Sequence, residues 1–377
     1  MKRILLYYPS NKRTIAMNSL MKGLQLEGYE VFLLTMCERG ILHEDFEKLG
    51  IKTFTANIHS KNPVAYYFKQ ILTLIRFCKK NKINVLLSNL QHANIVSVFA
   101  QYFISSKTLI FRHHFHYLHL MNNETKAHVL NKNELLFDKI INRLSKKIIV
   151  PSNSVMQGMI EQEGAKPSKI KVMQYLYDFN YYKSPDLQTV EQLKTKYNAR
   201  LVVLICSRLI KLKQIHLVLP VFKNLIDENM DIKVLILDDG PEKQNLINYV
   251  NENSLQHNIH FIGFTEHIEN YIACSDILVH PSITEASNST VKEMAIQKKV
   301  AIACSHVGDF SDYIIDGENG FLISASNIPS ELENKIRQIY NHKEILTEMG
   351  ERANKVVYEK FSISPGNMEK FINLIEH

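Results

Sequence analysis

Along the first half of the chain, short runs that are apolar at nearly every position alternate with stretches whose apolar residues recur every three or four positions. The runs are RILLYYP, EVFLLT, NVLLSN, TLIFRHH, KIIVPS and KIKVMQY. A strand that is apolar on both faces belongs to a parallel sheet covered on both sides by helices. The helical period predicts helices over residues 17–26, 65–80, 92–103 and 135–144. YLYDFNYYKSPDLQ, aromatic and polar and carrying Pro185, then reads as a connection. The pattern restarts with LVVLICSR, DIKVLILDDG, NIHFIGF, DILVHPS and KVAIACS, and the tail from residue 331 onward reads as helical. The expected fold class is α/β, with two doubly wound Rossmann-like domains over residues 1–185 and 186–360. A C-terminal helix over 361–377 is expected to cross back to the first. Such sheets bind ligands beyond the carboxyl ends of their strands, so two facing sheets would enclose a central cleft.

A chain of 377 residues suits two domains of this size. The apolar run near the N-terminus is too short for a secretory signal, and no stretch approaches the roughly 18 apolar residues of a membrane span. Five scattered cysteines without CxxC spacing read as thiols in a reducing cytosol. The expected location is cytoplasmic. The net charge of +7 is unevenly spread. Residues 1–185 hold 26 Lys and Arg against 12 Asp and Glu, whereas the remainder holds 19 against 26. A basic half suits an anionic membrane surface or an acidic acceptor. No nucleic-acid motif is present, so nucleic acid is not an expected partner. The basic amphipathic stretch AYYFKQILTLIRFCKK fits either a peripheral contact with anionic lipid or a helix covering the sheet.

Candidate chemistry sits at the strand ends. Arg208 and Lys213 lie five apart in the loop after LVVLICSR, a fork and a point charge suited to a diphosphate. Glu285 and Glu293 lie eight apart in TEASNSTVKEMA. A helix starting near Ser289 would offer the N–H groups of Ser289 and Thr290 to an anion. Glu285 in the loop and Glu293 one turn into the helix would then face sugar hydroxyls at either end of a phosphate-containing ligand. A purely structural alternative makes Thr290 and Glu293 a capping box. Asp238 and Asp239 read as a turn before Gly240-Pro241 or as holders of a divalent ion. His113, His114, His116 and His119 crowd together after TLIFR, but no cluster of cysteines or carboxylates accompanies them, and no metal site is assigned.

The ordered set SRLIKLK, LILDDGP, FIGF, HPSITEASNSTVKEMA and VGDFSDYIIDGENGFLI resembles group 1 retaining glycosyltransferases of the GT-B fold, over about residues 201–323. The first half resembles them more loosely, through GLQLEGYEVFLLT, KIIVPSNSVMQGMIEQEG and YLYDFN. The resemblance implies transfer of a sugar from a UDP- or GDP-sugar to a glycan or lipid-linked acceptor, with retention, in cell-surface polysaccharide synthesis and without a required metal or cofactor. It implies that Arg208 and Lys213 neutralise the diphosphate and that Glu285 reads the transferred sugar. Glu293 would hold the ribose, and Gly263 and Phe264 would lie near the base. Ser287, Asn288, Ser289 and Thr290 would line the donor, the last two by backbone N–H. His113 would bond the sugar or the developing charge, with Asn11 and His114 on the acceptor side and His92 a weaker candidate. Three departures stand out. Ala286-Ser287-Asn288 replaces a Gly-Phe-Gly-like segment. The first loop, PSNKRTIA, lacks paired glycines and offers Lys12 and Arg13 instead. Val307-Gly308 stands for a Gly-Gly turn. An isomerase acting on a nucleotide-sugar, or a non-catalytic binding subunit, are the alternatives on this fold.

Overall fold

The computed structural model describes residues 2–113 and 132–376. The chain divides into two compact units, Met1–Asp178 with Phe361–His377, and Phe179–Lys360. The division falls inside the aromatic segment, seven residues before Pro185. Tyr177 bridges Ser362 in the first unit, whereas the Phe179 ring packs 4.7 Å from that of Tyr358 in the second.

Among the described residues the first unit holds one parallel sheet. Its strands are β1 (Arg3–Tyr8), β2 (Glu30–Thr35), β3 (Lys52–Thr55), β4 (Val85–Asn89), β5 (Lys107–Phe111), β6 (Ile148–Val150) and β7 (Ile170–Val172). They lie in the order β3-β2-β1-β4-β5-β6-β7, so chain order reverses between β1 and β4. Alternate residues feed opposite cores, as strand geometry requires. Ile4, Leu6, Val31 and Leu33 join one apolar cluster, and Leu5, Tyr7, Phe32 and Leu34 join the other. The helix Pro365–Glu376 adds Met368, Phe371 and Ile375 to the first cluster. Each such side chain, fully buried, contributes about 1.5–3 kcal/mol. Gly23 lets the Met368 side chain lie close against the first unit's helix, since a Cβ there would come within 2.6 Å of its sulfur and the thioether would have to shift.

The second unit repeats the plan with β8 (Leu201–Cys206), β9 (Ile232–Leu237), β10 (Ile259–Gly263), β11 (Ile277–His280), β12 (Val300–Cys304) and β13 (Phe321–Ile323). The order is β10-β9-β8-β11-β12-β13, all parallel, with the reversal between β8 and β11. Two strands, β3 and β13, are missing from the apolar runs read in the sequence. Both are edge strands of three or four residues, and three of the four β3 residues are exposed, so neither carries a sustained apolar run. Among the described residues, no helix is long and apolar enough to cross a membrane.

Candidate active site

In an open parallel sheet, the loops after the two strands flanking the reversal diverge and leave a crevice. In the second unit those loops follow β8 and β11. The first carries Arg208, with an exposed side chain, and closes with the short 3-10 turn Lys211–Lys213. The second carries Glu285. The backbone joins them, because the N–H of Ile283 donates to the carbonyl of Leu212 at 3.1 Å. The side chains join them too, since the Lys213 ammonium pairs with Glu285 Oε1. Both side chains are largely buried, at 15% and 12% exposed.

The same carboxylate oxygen accepts from His280, the last residue of β11, at 2.7 Å from Nε2. A carboxylate only accepts, so the proton of that bond sits on Nε2. The His280 ring is 1% exposed, its Nδ1 has no hydrogen-bond partner among the described residues, and its edge meets Phe310. Burial alone would raise the Glu285 pKa. The His280 hydrogen bond and charge, together with Lys213, outweigh it and bring the group down to about 2. Glu285 is therefore an anion at any working pH.

The helix after this loop is Ser289–Ile296. Asn288 caps it, its Oδ1 accepting from the N–H of Val291 at 3.1 Å, which leaves the N–H groups of Ser289 and Thr290 as its open donors. Thr290 lies inside the helix, so the capping-box alternative for Thr290 and Glu293 is not realised. The side chains of Ser287 and Asn288 are already committed. Ser287 donates to Asp309 at 2.6 Å, and Asn288 makes the cap.

Glu293 lines a pocket of about 230 Å³ with Thr290, Phe264, Asp238 and Cys206. Burial, aided by the nearby charge of Glu269, pushes its carboxyl up to about 7 against the bond from Ser289. Phe264 is 73% exposed at the end of β10. Before it, Gly263 holds φ +84°, a conformation that costs other residues. Asp238 and Asp239 form the turn. Asp238 accepts from the N–H of Asp239, and Asp239 accepts from Gly240 and pairs with Lys243 at 2.7 Å. Gly240 lies against the backbone of Leu209, where a Cβ would meet the carbonyl at 2.4 Å, so this turn is tied to the Arg208 loop.

In the first unit, His113 follows β5, is half-buried, and bonds the Asn89 side chain at the end of β4. Tyr175 approaches the same nitrogen at 3.4 Å. Behind it the buried Arg112 guanidinium spans both Glu163 oxygens at 3.1 Å and the Asn142 side chain at 2.8 Å. Asn11 lies in the loop after β1 and donates to the carbonyl of Glu38 at 3.3 Å. Lys12 is exposed, but Arg13 holds Asp45 through two bonds of 2.6 and 3.0 Å. Only Lys12 of the two thus remains as the loop charge expected from the sequence. His92 bonds the Tyr67 hydroxyl at 2.6 Å on a helix surface. His114, His116 and His119 lie outside the described residues.

Sequence reasoning passed over His280 and the Lys292–Asp309 pair below it. A histidine ending an apolar strand reads as core. The signal for His280 was its place, at the carboxyl end of the strand bordering the reversal.

Comparison with known proteins gives the same reading for both units. The family model for glycosyl transferases group 1 matches residues 188–356, and that for glycosyltransferase family 4 matches residues 16–178. A poly(ribitol-phosphate) alpha-N-acetylglucosaminyltransferase of Staphylococcus aureus is 23% identical over 65% of this chain and 49% of its own. A capsular polysaccharide biosynthesis glycosyltransferase of Staphylococcus aureus is 23% identical over 60% of each chain. In both cases the match spans less than two-thirds of the relative's length. Anabaena HepE, crystallised with UDP, superposes with a TM-score of 0.80 over 99% of both chains at 18% identity. The two models together cover most of the sequence, the fold agrees, and the chain belongs to the group 1 glycosyltransferases with the GT-B fold.

Proposed function

We propose that the protein moves a sugar from a nucleoside-diphosphate sugar to a hydroxyl of a glycan or lipid-linked acceptor, with retention at the anomeric carbon, in cell-surface polysaccharide assembly. The observation that carries this reading is the meeting of Lys213, Glu285 and His280 at the strand-order reversal of the second sheet. Arg208, Lys213 and the open N–H groups of Ser289 and Thr290 take the diphosphate. Glu285, held anionic, accepts from hydroxyls of the transferred sugar, and Glu293 does the same for the ribose beside Phe264. The anomeric carbon–oxygen bond to phosphate breaks and a bond to the acceptor oxygen forms. The acceptor proton passes to the leaving phosphate. Cations and amides fixed in place before reaction stabilise the departing charge, and in this reading they replace a metal ion. His113 in the first unit bonds the sugar or the developing charge, and Asn11 and Lys12 face the acceptor.

The basic first half supports an anionic acceptor or surface, and the acceptor named for the Staphylococcus aureus relative is a polyanion. The helix Pro63–Lys80 exposes Val64 and Phe68 beside Lys69, Arg76, Lys79 and Lys80, a face suited to a peripheral contact with anionic lipid at the cytoplasmic side. The test is incubation with UDP- and GDP-sugars, with and without lipid-linked acceptors and with a chelator. Transfer unaffected by chelation supports the proposal. Epimerised donor without acceptor would move it to the isomerase class, and binding without any turnover to the non-catalytic one.

A further inference from the structure

Beneath the loop that carries Glu285 lies an ion pair to which the reading above gives no role. Lys292, on the helix Ser289–Ile296, meets Asp309 at 2.8 Å, and both side chains are 0% exposed. An ammonium has three N–H donors. Here they meet Asp309 Oδ2, the Ser287 hydroxyl at 3.0 Å and the Asn288 carbonyl at 2.9 Å. Ser287 closes the ring by donating to the same Asp309 oxygen. The Tyr313 ring stands 5.1 Å from the ammonium. Gly308, one residue before Asp309, lies so near Glu285 that a Cβ there would come 2.8 Å from the Glu285 Cβ. The ring therefore grips both the two residues that follow the Ala286 link and the turn on which Glu285 rests.

A fully buried ion pair usually gives little stability over apolar packing of similar volume, because desolvating two charges cancels most of their attraction. What it gives is direction, since each partner penalises any displacement of the other. Resting on the transferase reading, we propose that Lys292 and Asp309 are positioning residues, whose ion pair with Ser287 sets the Glu285 carboxylate against the donor sugar.

The test pairs Lys292→Met with Asp309→Leu, which removes both charges together. Three readouts follow in the full chain: melting temperature, hydrogen exchange over residues 284–290, and steady-state kinetics. The expected double variant melts close to wild type, exchanges faster over 284–290 but not over β11, and loses about 10–100-fold in kcat, the scale of an ångström-sized misplacement. Its KM for the donor stays within about threefold, because Arg208 and Lys213 still hold the diphosphate when the amides of Ser289 and Thr290 loosen. Ser287→Ala shows a smaller loss of kcat, restored by Ser287→Thr. Wild-type exchange and kcat in the folded double variant would overturn the proposal. So would failure of the double variant to fold, which would make the pair a stability element. If the wild type neither binds nor turns over any nucleotide-sugar, the transferase reading fails while the exchange measurement still decides the positioning role.

Discussion

The loops after β1 and β11 each border the reversal of strand order in their own sheet, on opposite sides of it, and they are built in opposite ways. In the loop after β11, Glu285 is 12% exposed and held by a buried histidine and a largely buried lysine over a fully buried ion pair. In the loop after β1, Lys12 is exposed and Arg13 is 55% exposed while pairing with Asp45. That pair is half in water, with Arg13 55% and Asp45 10% exposed, so it resists displacement less than a pair with both charges buried. Buried pairs resist displacement strongly, since breaking one leaves an uncompensated charge. The difference teaches that the second unit is organised before any ligand arrives, as suits a diphosphate common to many donors. The first unit keeps solvated charges, which under the proposed transfer would suit varied acceptors.

The hardest test of this contrast is Glu285→Ala. It is expected to lower kcat by about 100-fold or more, the scale of losing one preorganised electrostatic contact, while nucleoside diphosphate affinity stays within a few-fold. A parallel drop in affinity would mean that Glu285 acts on the phosphates through Lys213, which it holds in place. Lys213→Ala comes next, weakening both binding and turnover by roughly 10–100-fold, as expected for a charge-assisted hydrogen bond. Retention of full activity would remove Lys213 from the site.

A smaller effect concerns pH. The folded pKa of Glu293 is raised to about 7, so folding favours its protonated form. Its ionisation thus costs stability progressively as pH rises from about 4.5 through 7. Glu293→Gln should flatten this decline, measured as melting temperature between pH 5 and 8. An unchanged slope would mean that the carboxyl titrates normally. For Glu285, held near 2, the linkage runs the other way. Its stabilisation is full above the ordinary carboxylate range and is lost only as pH falls toward 2. The smallest effect is on the first unit, where co-sedimentation with anionic vesicles should exceed that with neutral ones and fade with salt. Equal sedimentation would end the lipid proposal for the helix Pro63–Lys80.

Much of the fold was legible because strands covered on both faces must be apolar throughout, as in β8 and β9. Two of the four edge strands among the described residues were not: three of the four β3 residues are exposed, and β13, though buried, is only the three residues FLI after a glycine turn. At the candidate site, Lys213 and Glu285 stood out by spacing and strand-end position, and the structure brings them together. Lys292 did not, because a lysine one turn into a helix reads as a solvated residue until Asp309, 17 residues away, is seen beside it. Pairing between separate crossovers is decided by tertiary packing and leaves no local pattern. Arg112 escaped notice for the same reason, as its partner Glu163 lies 51 residues on.

The central claim is that the second unit grips a nucleoside diphosphate at its strand-order reversal. Calorimetric titration of UDP and GDP into the full chain tests it without knowledge of sugar or acceptor. One of the two should bind at a single site, more than about tenfold more weakly in Lys213→Ala but almost unchanged in Arg13→Ala. Absence of binding by both nucleotides, or equal losses in the two variants, would contradict it.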